Sequence, residues 1–250
     1  MTLALTSRNG CVLSEVTILS QVKSDEATDP AFYNISGCPE DLFKHMVQLG
    51  TYAREYELAS TMKCVTFDMA PVLAVEKSIR KWSAPEFGDP YEPGFDDEQS
   101  PGQQGEMEEL VNYRQDLYHC AEAWRYGLLI YIERVFKWRS NKRTSPLLGF
   151  LARKTLNNVA SCRKSLMLQK QLLLPVFLAG CETKDEVLQQ EARDYCSWWS
   201  EETHYDMFLT AVALLEEVWN SKKPDTWWGS IIDEKTRTAT GPVAKQYLFG

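Results

Sequence analysis

Residues 108–138 read EELVNYRQDLYHCAEAWRYGLLIYIERVFKW, and this stretch decides the fold. Leu110, Tyr113, Leu117, Cys120, Trp124, Leu128, Ile132 and Val135 recur at steps of three and four, the period of an α-helix. Leu129, Tyr131 and Phe136 fall between them and widen the apolar side. A helix that is apolar around much of its circumference needs other helices to cover it. The stretch predicts a long central helix over about 108–138 inside an all-α domain.

Working outward from it, the segment from Ser83 to Met107 has the opposite character. It holds Pro85, Pro90, Pro93 and Pro101, four glycines, seven acidic residues and no Lys or Arg. That composition predicts a mobile, acidic, disordered loop rather than a packed element. Before it, Asp68 caps and Pro71 opens a helix to about Trp82, with Val72, Val75, Ile79 and Trp82 as its apolar stripe. Pro39 opens an earlier helix carrying Leu42, Met46, Leu49, Ala53 and Tyr56.

On the other side, Ser145-Pro146 starts a helix expected to continue towards Gln171. The run Leu172 to Gly180 reads as a buried segment kinked at Pro175. Thr183-Lys184-Asp185-Glu186 has capping-box spacing and starts a helix to about Trp199. A further helix is expected from about Thr203 to Asn220, and Pro224-Asp225 restarts a short one carrying Trp227, Trp228, Ile231 and Ile232. No run has strand period with hairpin signals. The sum is one multi-helix bundle of orthogonal or stacked helices. Residues 1–38 form a weakly ordered N-terminal segment, 39–233 the helical domain, and 234–250 a C-terminal tail.

The chain has 250 residues, 44% of them hydrophobic, so it buries a sizeable core without staples. Its net charge is -8 and its pI about 5.1, the reverse of the balance expected for a surface that grips nucleic acid. The 7 cysteines are scattered and never spaced C-x-x-C, which fits reduced core residues better than a disulfide ladder or a zinc module. The first residues lack a charged start followed by an apolar run, so no signal peptide is expected. Leu172 to Cys181 is too short to span a membrane and contains Pro175.

Catalytic patterns are absent. The sequence has 3 histidines and no H-E-x-x-H, P-loop or G-x-S-x-G. Adjacent His119 and Cys120 point about 100° apart on a helix and make a poor nucleophile–base pair. Glu201 and His204 supply one E-x-x-H where a di-metal site uses two. The basic cluster Arg134, Lys137, Arg139, Lys142 and Arg143 fits a helix C-terminus, where cations complement the dipole. No catalytic residue, metal or cofactor is expected. The crowded aromatics of the last third suggest a pocket lined by Pro175, Phe177, Gly180, Trp199, Phe208, Val212 and Trp219. The same residues also fit a plain helical core.

The segment Leu174-Pro175-Val176-Phe177-Leu178-Ala179-Gly180-Cys181-Glu182 is followed by Arg193 and then by Ala213-Leu214-Leu215-Glu216-Glu217-Val218-Trp219. Together with Tyr113 to Val135 and Ile79-Arg80-Lys81-Trp82, these resemble the fungal-specific transcription factor domain that follows a binuclear zinc cluster. The likeness is to the group that includes sterol-responsive and developmental regulators, and it covers roughly residues 40–232. It implies a nuclear or shuttling protein that regulates transcription by RNA polymerase II. It also implies a homo- or heterodimer with related factors and a small lipophilic effector. The six-cysteine cluster of that family is not matched, since Cys11 and Cys38 are too isolated to supply it. The chain is therefore expected to be a fragment, a truncated product or a relative that makes no direct nucleic-acid contact. The rival readings are a dimerising decoy without a ligand and, behind it, a helical metalloenzyme.

Overall fold

A computed structural model describes residue 33 and residues 36–84, 101–138, 146–164, 167–222 and 226–238. Among these the fold is all-α. In chain order the helices are α1 (Glu40–Thr61), α2 (Ala70–Lys81), α3 (Pro101–Ile132), α4 (Pro146–Ser161), α5 (Met167–Lys170), α6 (Leu173–Glu182), α7 (Glu186–Thr203), α8 (Asp206–Asn220) and α9 (Trp228–Thr238). A π-helical segment, Glu133–Lys137, continues α3.

The centre is the second half of α3. Leu128 to Ile132 are buried without interruption, so neighbours cover the helix on every side. α4 lies along it, α6 packs against both, and α7, α8 and α2 close the shell. Close approach depends on two glycines. A Cβ at Gly127 would stand 3.2 Å from the Pro175 backbone, and one at Gly180 would stand 2.8 Å from Leu215 Cδ2. Bare backbone at these points lets α3 and α8 press directly on α6.

Several boundaries differ from the sequence expectation, each for a local reason. α3 starts at Pro101, so residues 101–107 of the expected loop are helical. Proline suits a first turn, and a glycine there costs only about 1 kcal/mol against a long helix. Residues 85–100 lie outside the described residues. α4 stops at Ser161 instead of running to Gln171, and only the four-residue α5 follows. Pro175 does not kink a helix. It sits in the first turn of α6, where no N–H is needed, and Val176 N–H donates to the Leu172 carbonyl at 2.9 Å.

The capping-box geometry at 183–186 is replaced by a neighbouring cap. Asp185 accepts from the Val187 N–H at 3.0 Å, while Thr183 Oγ1 accepts from the Asp185 N–H at 3.2 Å. Thr203 ends α7 rather than opening α8, and its hydroxyl donates to the Trp199 carbonyl at 2.5 Å. His204 then turns the chain at φ 56°, a left-handed stop. Glu201 and His204 are exposed at this helix end. α9 continues to Thr238, into the expected tail. No helix among the described residues is long and apolar enough to cross a membrane.

Candidate functional site

Among the described helices α6 carries the most apolar sequence, and Leu173 to Gly180 are all buried. The seven residues expected to line a pocket all lie around it, but they do not meet at one point. Gly180 and Trp219 are brought together directly: the Trp219 indole N–H donates to the Gly180 carbonyl at 2.8 Å. The Arg193 guanidinium covers the Trp219 ring at 4.5 Å and holds Glu216 at 2.5 Å. Pro175 faces α3 at Gly127. Phe177 faces α9, with its ring 6.3 Å from Trp228. Phe208 packs on Tyr195, 6.2 Å between ring centres, and Val212 is half-buried beside the core.

Trp199 belongs to a polar centre that the sequence did not reveal. Its indole N–H donates to Gln169 Oε1 at 3.1 Å. Gln169 Nε2 donates in turn to the carbonyls of Val159 and Cys162 at 3.2 and 3.0 Å. Tyr195 donates to the Gln169 carbonyl at 2.8 Å. One buried glutamine thus satisfies the end of α4 and joins it to α7. Nothing in the local spacing marks Gln169, because its partners come from two separate segments, the end of α4 and α7.

The other unexpected feature is a buried ion pair. Arg134 on the π-helical segment grips Glu182 at the end of α6 with both forks of its guanidinium, Nε at 2.7 Å from Oε1 and the second nitrogen on Oε2. Its face lies 4.7 Å from the centre of the Trp138 ring. Trp138 leads to Trp227 at 6.3 Å, and Trp227 to Trp228 at 5.0 Å. Arg134 is thus taken out of any surface basic patch. Lys137 is likewise bound to Glu76 at 2.6 Å and Glu133 at 2.9 Å. Arg139, Lys142 and Arg143 lie outside the described residues.

Trp228 is 1% exposed and packs between Tyr131, Phe177 and Trp227. Its indole N–H has no hydrogen-bond partner, and neither has that of Trp124. Among the described residues no group of three or more His, Cys, Asp or Glu side chains could hold a metal ion.

The family model described as "fungal specific transcription factor domain" matches residues 9–238. The chain belongs to this family. No curated protein and no solved structure matches it. In this transcription factor domain, the segment that carried the sequence likeness is now the buried helix α6. Its Glu182 is the anchor of Arg134, and Arg193 and Trp219 of the same likeness are stacked on one another.

Proposed function

We propose that this chain is the effector- or partner-responsive regulatory domain of a zinc-cluster transcription factor and acts in the nucleus. DNA contact belongs to a separate module, which agrees with the net charge of -8 and with the binding of Arg134 and Lys137 to internal carboxylates. The observation that carries the effector reading is the buried, unpartnered N–H of Trp228 beside Phe177. Leaving such a donor unmade costs about 1–3 kcal/mol. A small lipophilic molecule with one acceptor oxygen would recover that loss and add apolar contact with Phe177 and Tyr131. The exposed Met167, Trp198, Tyr205 and Leu209 favour the second reading, a partner-binding surface.

Native mass spectrometry of the full chain separates the two. The effector reading expects an adduct of small-lipid mass that weakens in Trp228→Phe. A dimer without an adduct leaves the partner reading alone. A bare monomer across the micromolar range removes both.

A further inference from the structure

Two thiols meet where α3 and α4 pack. Cys120 lies in the middle of α3, and Cys162 is the first residue beyond α4. Their Sγ atoms are 3.5 Å apart, and both side chains are buried. Cys162 Sγ also approaches the Asn158 carbonyl at 3.4 Å. Gln169 holds the Cys162 carbonyl, and the chain just after Cys162 is tied to α3 by Arg163. Arg163 donates its N–H and Nε–H to the buried carboxylate of Asp116 at 2.9 and 2.6 Å, and its guanidinium reaches Glu109 at 2.9 and 2.8 Å. Asp116 and Glu109 both belong to α3, so Arg163 holds the end of α4 down over the thiol pair.

We propose that Cys120 and Cys162 are a redox modification site, a dithiol that a hydroperoxide converts to an intramolecular disulfide when the Arg163–Asp116 latch opens. In the closed state the pair is protected. The hydrogen bond with Cys162, together with burial, pushes the Cys120 thiol well above its ordinary value, so it keeps its proton. Thiolates, not thiols, are the nucleophiles, and a shielded thiol reacts slowly. Release of Arg163 exposes Cys162 first, because it lies past the helix end while Cys120 is held mid-helix.

The Cys162 thiolate attacks the peroxide and breaks its O–O bond. It becomes a sulfenic acid, and the peroxide leaves as an alcohol or water after taking up the proton. Cys120 then attacks the sulfenic sulfur. The S–O bond breaks, an S–S bond forms, and the oxygen departs as water with the Cys120 proton. The two thiols have lost two electrons, and the peroxide has gained them. The pair must close from 3.5 Å to the roughly 2.0 Å of a bonded pair, a shift the unlatched end of α4 can supply. The product clamps the end of α4 to the central helix.

The test uses the full reduced chain and graded hydrogen peroxide. Samples are quenched by alkylation and mapped without reduction. The expected result is a loss of two hydrogens per chain and a linked peptide pair containing Cys120 and Cys162, reversed by dithiothreitol. Arg163→Gln should form the link several-fold faster. Cys120→Ala and Cys162→Ala, each checked for retained helicity, should not form it. Exposed Cys64 is the internal reference. If both cysteines still alkylate as free thiols, on unfolding, at doses that fully oxidise Cys64, the site does not exist. If Arg163→Gln reacts at the wild-type rate, the latch is wrong.

Discussion

At the scale of single residues, two contacts bear the most weight. The first is the Arg134–Glu182 pair, with both side chains nearly inaccessible to solvent. Removing one partner of a buried pair strands the other charge and costs about 3–5 kcal/mol. Glu182→Leu should therefore lose about that much stability in urea unfolding. The double variant Arg134→Met/Glu182→Leu should recover most of it, because two apolar groups need no compensation. A single variant as stable as the wild type would show the pair to be solvated. The second contact is Gly180. The Cβ of a leucine there would already stand 2.8 Å from Leu215 Cδ2 and 3.5 Å from Ala192 Cβ, beside the carbonyl that holds Trp219. Gly180→Leu should cost about 1–3 kcal/mol by overpacking, read as a lower melting temperature. An unchanged melting curve would contradict the close α6–α8 packing. The sequence grouped Gly180 with Phe208, Val212 and Trp219 in one lining; Trp219 does meet the Gly180 carbonyl, but a side chain at Gly180 would meet Leu215 and Ala192 rather than Phe208 or Val212. Helix phase alone does not say which residue of a partner helix meets a bare backbone.

At the scale of elements, α2 is tied to the π-helical segment by charge. Burial pushes the Glu76 carboxyl up, but the hydrogen bonds and charges of Lys137 and Arg80 outweigh it and hold the carboxyl below its ordinary value. A carboxylate with a depressed folded value stabilises the protein above its unfolded value, and the contribution is lost as pH falls through the folded one. The denaturant midpoint should therefore decline below about pH 5, and Glu76→Gln should flatten that decline while lowering the neutral plateau. Parallel pH profiles for the two proteins would remove this role. The helices with proline or acidic starts were legible: Pro71 and the Asp68 carboxylate, 2.9 Å from the Ala70 N–H, mark α2 in sequence and in space. The kink at Pro175 was misread because a proline in a first turn and one in a helix interior look alike until the helix start is known. The start of α6 is set by the turns at Gln171 and Leu172, which carry no strong local signal. The sequence marked Thr183 as the cap of α7, but Asp185 takes that place, and its interaction with Arg153, at 2.8 Å across to α4, favours it. Arg134–Glu182 and Gln169 were illegible because residues far apart in sequence meet there only after folding.

At the scale of the whole molecule, an acidic helical domain of a transcription factor family should act on transcription without holding DNA itself. Anisotropy titration of a short duplex at physiological salt should show only very weak association, and sub-micromolar binding would contradict the assignment of DNA contact to another module. The most direct test of the central claim is transcriptional. The full chain is fused to an unrelated DNA-binding module and directed to a reporter promoter in a fungal nucleus. The account predicts that the fusion changes reporter transcription relative to the DNA-binding module alone, and that Glu182→Leu, which unties α6 from the π-helical segment, abolishes the change. A folded, nuclear fusion that leaves the reporter at the level of the DNA-binding module alone would contradict it.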